Sequence, residues 1–139
     1  MINTAFFLPA FTLVLLTFGV MIRMLMSRIA EMKANKIHPQ SIATSAALMA
    51  KMPDTRASDN FRNLFETPIL FYAAMLFAQS TPQAGQVLLA LAWLYVALRV
   101  VHSIIQCSYN KVMHRFYVFL TSVAVLLAIW LMLAVAYLR

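Results

Sequence analysis

Three groups of polar residues interrupt an otherwise apolar chain: Arg62-Asn63-Leu64-Phe65-Glu66, then Tyr95, Arg99, His102, Ser103 and Gln106, then Lys111 with Arg115. Positions three and four apart stack on one side of a helix, so Arg62, Asn63 and Glu66 share a face and the second group forms a single stripe. Arginine holds carboxylates through paired hydrogen bonds, and a glutamate set among arginines can take an ammonium. Arg62, Arg99, Lys111 and Arg115 face only Glu66 and Asp59, which predicts a site for a polyanionic ligand. The bland alternative is an ion-pair network, Glu66 with Arg62 or Arg99, that pins helices together. The single Cys107 reads as a small packing residue, and no metal site is expected.

The elements that position these residues must sit in a bilayer. The chain has 139 residues, 63% hydrophobic and 11% charged, with a mean hydropathy of +0.82. A soluble domain of this size could not hide so much apolar surface. The net charge is +7, and the basic residues cluster. Arg23, Arg28, Lys33, Lys36, Lys51, Arg56 and Arg62 separate the first apolar span from the second, and Arg99, Lys111 and Arg115 surround the break between the third and fourth. The positive-inside rule then puts both basic connections in the cytoplasm and both termini outside. Anionic lipid headgroups explain this charge, so nucleic acid is not an expected partner.

Four spans are expected, at about 2–30, 57–79, 85–108 and 114–138, forming an all-α, four-transmembrane-helix bundle in a single domain. In the first, charge follows the apolar run, which favours a retained helix over a cleaved signal peptide. Pro9 is expected to kink that helix, and Gly19 to let another helix approach closely. Residues 35–55 form the longest polar connection, with Ser41–Met52 as a short segment lying on the membrane surface. Pro68 should bend the second span just beyond the Arg62–Glu66 cluster. A tight turn with Pro82 at its apex makes spans two and three an antiparallel hairpin.

Counting outward from Pro82 brings Glu66 level with Arg99, and Arg62 level with His102, at equal rise per residue. The uncharged stretch from Thr67 to Ala78 covers only roughly 18 Å of a ~30 Å hydrocarbon core, so part of the cluster lies below the headgroups. Ionisable groups at such depth are costly and mark function. A charged pocket opening toward the cytoplasm follows.

Arg62-Asn63-x-x-Glu66 followed by Pro68, together with Ala97-Leu98-Arg99-Val100-Val101-His102-Ser103 and Arg115, resembles the MAPEG family. These are the membrane-associated proteins in eicosanoid and glutathione metabolism, and the likeness is greatest to bacterial members. The resemblance implies a homotrimer, multi-pass in a bacterial inner membrane, with glutathione bound between subunits. It aligns Arg62, Asn63, Glu66, Arg99, His102, Ser103 and Gln106 with the glutathione site, and Arg28 more loosely. Arg115 aligns with the arginine that stabilises the glutathione thiolate. A fixed cation lowers a thiol's pKa from about 8.5 and so raises the nucleophile's population.

Two departures stand out. Asp59 replaces a further arginine of many active relatives. Gln106 replaces a tyrosine, and Phe116 follows Arg115 where prostaglandin E synthase has a serine; Tyr109 and Tyr117 are candidates to compensate. The implied function is a glutathione-dependent transferase or peroxidase acting on lipophilic electrophiles from the bilayer. The competing function is a non-catalytic lipid-binding or scaffold protein of the same fold. A small transporter ranks third, since no inverted repeat is visible.

Overall fold

The computed structural model describes residues 4–81 and 84–138, so the expected apex at Pro82 lies outside the described residues. After a 3-10 turn at Thr4–Phe6, helix α1 runs through Phe7–Ala34. Its 28 residues extend about 42 Å, more than a bilayer core, so its basic end stands clear of the apolar layer. Pro9 is the third residue of α1, where its missing N–H would have no intrahelical partner anyway, and it needs no kink. At Gly19 a Cβ would meet nothing within 4 Å, so among the described residues no helix of this chain packs against it.

The long connection folds into a 3-10 turn at Pro39–Ile42 and a short helix α2, Ser45–Lys51. His38 Nδ1 accepts from the Gln40 amide at 3.3 Å and Thr44 Oγ1 accepts from the Ala47 amide at 3.2 Å, each capping an orphan helix donor. Arg56 then fastens the connection to the bundle. Its guanidinium donates twice to Asp54, at 2.8 Å each, and once to the Ser108 carbonyl, at 2.6 Å. These hydrogen bonds hold the Asp54 carboxyl down at about 2, against an ordinary 3.8.

The expected bend in the second segment is a full break. Helix α3, Arg56–Asn63, ends, and helix α4, Thr67–Ser80, begins after Leu64-Phe65-Glu66. Pro68 sits in the first turn of α4, where it starts a helix well and extends one badly. Three-residue bonds bridge the gap: the Phe65 amide donates to the Arg62 carbonyl at 2.9 Å, and the Ile69 amide to that of Glu66 at 3.3 Å. Helices α5, Gln86–Cys107, and α6, Val112–Tyr137, follow. Asn110 turns the chain between them at φ 49°, a left-handed conformation that asparagine tolerates.

Contacts between α3–α4 and α5 run in opposite sequence order. The Phe71 ring stacks on Tyr95 with centroids 4.5 Å apart, Tyr95 Oη donates to Thr67 Oγ1 at 3.4 Å, and Ser103 Oγ donates to Asn60 Oδ1 at 3.2 Å. The two segments are therefore antiparallel. The core between the helices contains Leu13, Phe71, Met75, Tyr95, Val96 and Ile129, with Ala74, Ala78 and Ala92 allowing close approach. Phe11, Leu15, Leu76, Leu127 and Leu131 point outward. The spans starting at Thr4, Gln86 and Val112 are long and apolar enough to cross a membrane. This is an all-helical integral membrane protein.

Arg56→Ala is expected to free residues 35–55 without disturbing the bundle. Amide hydrogen exchange should quicken several-fold there and stay unchanged in α5 and α6. Because Asp54 is depressed in the folded state, its contribution is complete above the unfolded value and is lost as pH falls toward 2. Protection of the connection relative to intrinsic amide exchange should therefore fall between pH 4 and pH 2 in the unmodified protein, and change little over that window in Asp54→Asn.

Candidate functional site

A cavity of about 350 Å³ lies between α3, α5 and α6, lined by Asp59, Arg62, Asn63, Glu66, His102, Gln106, Val112, Arg115, Phe116 and Phe119. Its volume is within the range usual for small-molecule sites, roughly 300–1,000 Å³. Arg62, Asn63 and Glu66 reach it from the end of α3 and the break. His102 and Gln106 come from α5, one turn apart, and Arg115 comes from the first turn of α6. Six of the nine residues expected to form a glutathione site are thus brought together here.

Arg99 and Ser103 stand behind this wall. Arg99 is fully buried; its Nη2 donates to the Asn63 carbonyl at 3.4 Å and makes a very short hydrogen bond to Asn63 Oδ1. Its guanidinium carbon lies 5.8 Å from the centre of the Phe119 ring, within reach of a cation–π attraction. Nε and Nη1 have no protein partner. Asn63 passes this charge on: its Nδ2 donates to Glu66 Oε2 at 3.1 Å. The amide thus turns its oxygen to the cation and its nitrogen to the carboxylate, and Glu66 makes no ion pair within 4 Å of Arg62 or Arg99 among the described residues. Arg99 meets Asn63, three residues before the Glu66 position expected from equal rise.

Ser103 is buried against Asn60, whose Nδ2 also donates to Cys107 Sγ at 3.4 Å. Asn60 is itself fully buried. The sequence reading passed over it, although it lies one helical turn before Asn63 and Leu64 on the same face. Arg28 is placed elsewhere, in a smaller cleft of about 130 Å³ with Ser45, Met52, Asp54 and Ser58. That cleft shares Asp59 and Arg62 with the main cavity. Tyr109 bonds His114 at 3.2 Å, and Tyr117 is exposed; neither lines the cavity.

The charge balance differs from the expected surplus of cations. Arg62 and Arg115 line the cavity beside Asp59 and Glu66, while Lys111 does not reach it and Arg99 is set behind. The wall is dipolar rather than uniformly basic. Arg115 is also restrained, since its Nη1 donates to Asn110 Oδ1 at 2.8 Å. The left-handed turn that ends α5 therefore aims the arginine that begins α6. Phe116 and Phe119 add an apolar wall at i+1 and i+4 from it. Such a cavity can hold a small molecule bearing both a carboxylate and an ammonium, with an apolar region alongside.

Asn63→Leu is expected to remove the side-chain acceptor of the buried Arg99 guanidinium and leave only the backbone carbonyl, costing about 2 kcal/mol. A lowered thermal midpoint in detergent would report this. Asn63→Asp, which supplies an acceptor for the same charge, should recover most of the loss.

Comparison with known proteins found no matching curated protein and no matching solved structure. Against protein families, residues 6–135, nearly the whole chain, match the MAPEG family. The chain belongs to the MAPEG family.

Proposed function

We propose that this protein is a membrane-bound, glutathione-dependent transferase or peroxidase of lipophilic electrophiles. The observation that carries the proposal is the cavity that Arg62, Asn63 and Glu66 line together with His102, Gln106 and Arg115. Glutathione has two carboxylates, one ammonium and one thiol. Arginines suit the carboxylates, Glu66 suits the ammonium, and Arg115 is the candidate to stabilise the thiolate. Val112, Phe116 and Phe119 offer an apolar side to an electrophile arriving from the bilayer. Positioning and a stabilised thiolate are then sufficient for attack on that electrophile.

The proposal includes a four-span topology, with α3 and α4 together crossing the layer, and a homotrimer that completes the cavity. Family membership and the outward-facing apolar side chains support both. The arginine-rich connections favour a cytoplasmic opening and an inner membrane of bacterial type.

A second function, lipid binding without catalysis, has one specific observation behind it. An apolar groove of about 350 Å³ runs between Val14, Phe18 and Met21 of α1 and Phe61, Phe65 and Tyr72 of the broken segment. Arg62 is not among its lining residues, and its largely apolar wall suits a hydrocarbon chain.

Purified protein with saturating glutathione should show thiolate absorbance and conjugate a generic aryl halide. Arg115→Ala should reduce both by about tenfold or more, the equivalent of roughly 1.4 kcal/mol, while glutathione still binds. Absence of any thiolate signal and of any turnover in the unmodified protein would leave the lipid-binding function standing.

A further inference from the structure

His102 and Gln106 form a wall of the cavity and are nearly buried, at 3% and 4% exposure. His102 Nδ1 lies 3.2 Å from the backbone carbonyl oxygen of Arg115, and Nε2 lies 3.0 Å from the Gln106 side-chain amide, at the oxygen Oε1. Both ring nitrogens thus face oxygen. The Arg115 carbonyl belongs to a helix backbone, can only accept, and cannot turn. A proton on Nε2 alone would set the Nδ1 lone pair against that carbonyl, so a singly protonated ring carries its hydrogen on Nδ1. Nε2 is then an acceptor and needs a donor. The two ends of a glutamine amide have the same shape, so rotating the group supplies one without moving anything else.

We infer that His102 is protonated on Nδ1 only and holds Gln106 with its amide nitrogen on the ring and its carbonyl oxygen turned into the cavity. Gln106 then joins Glu66 as an acceptor and selects an ammonium or amide N–H of the ligand rather than a carboxylate. A doubly protonated ring has the opposite effect: it donates to the amide oxygen and turns the NH2 group inward. The charged groups that surround the ring are Arg99 on its own helix, Arg115 on α6, and Asp59, Arg62 and Glu66 from the α3 side. One proton on the ring therefore sets whether this wall offers an acceptor or a donor. The ligand's identity rests on the proposed glutathione function; the amide's orientation does not.

Nitrogen-15 NMR of histidine-labelled protein in lipid nanodiscs reads the ring directly. His38→Gln with His114→Gln removes the two exposed imidazoles and leaves His102 alone. At pH 7 the expected spectrum has a protonated Nδ1 and an unprotonated Nε2. In Gln106→Glu, where the carboxylate only accepts, both nitrogens should become protonated. Two protonated nitrogens in the chain with Gln106 intact, or a proton on Nε2 alone, would overturn the inference. Calorimetry adds a separate arm: Gln106→Leu should weaken glutathione about tenfold, and weaken an analogue lacking the ammonium and its neighbouring N–H hardly at all. Equal weakening of both ligands would overturn the assigned selectivity. If glutathione fails to bind any form, the glutathione function falls while the NMR result still decides the orientation.

Discussion

A guanidinium buried in the apolar part of a helix bundle has to be answered by fixed acceptors, and the arrangement around Arg99 is built on that requirement. Its partner is a neutral amide and a backbone carbonyl, both from Asn63. The carbonyl comes from the end of α3, where it also accepts from the Glu66 amide at 3.3 Å and where a cation is favourable. One buried side chain therefore satisfies the end of α3 and fixes the Asn63 rotamer. Through that rotamer it also orients Glu66. The break between α3 and α4 folds Glu66 back onto Asn63: its amide donates to the Asn63 carbonyl, and its carboxylate accepts from the Asn63 side chain.

The same economy recurs at the other corner of the cavity. Asn110 makes the turn between α5 and α6 and also accepts from Arg115. His102 accepts its position from the Arg115 carbonyl, so the arginine that faces the cavity and the histidine that lines it share one helix end. The Asn110–Arg115 bond is local, and the His102–Arg115 contact ties α5 to the start of α6. They allow a dipolar cavity to be held with few buried charges exposed to lipid, which suits a layer where every unpaired charge is expensive.

Much of this was legible in the sequence because depth in a bilayer and helical periodicity are strong constraints. The stripe Tyr95, Arg99, His102, Ser103 and Gln106 lies buried on one face of α5 as its spacing requires. The positions of Arg62, Asn63 and Glu66 opposite it followed from the hairpin. What was not legible is which residue of a cluster touches which. Counting from the turn assumes one unbroken helix, whereas the helix breaks at Leu64–Glu66, and there Arg99 meets Asn63 instead of Glu66. Asn60 gave little signal, since an asparagine near a span's end reads as solvated until its partners Ser103 and Cys107 are known. Arg28 lies on a helix that overshoots the apolar layer, so its depth alone could not assign it to either cleft.

Asp59 and Gln106 acquire a physical meaning in this geometry. Asp59 and Glu66 balance Arg62 and Arg115 around the cavity, so a ligand gains most by carrying both signs in a fixed order. Gln106 presents an amide whose two ends differ. Such a group discriminates only if something holds it, and among the described residues His102 is the neighbour placed to do so at hydrogen-bond distance. Specificity at this wall is therefore set one residue away from the ligand, by a ring whose own orientation depends on the backbone at the start of α6. A substitution that shifted that helix end by a fraction of a turn would alter what the cavity accepts without touching any residue that lines it.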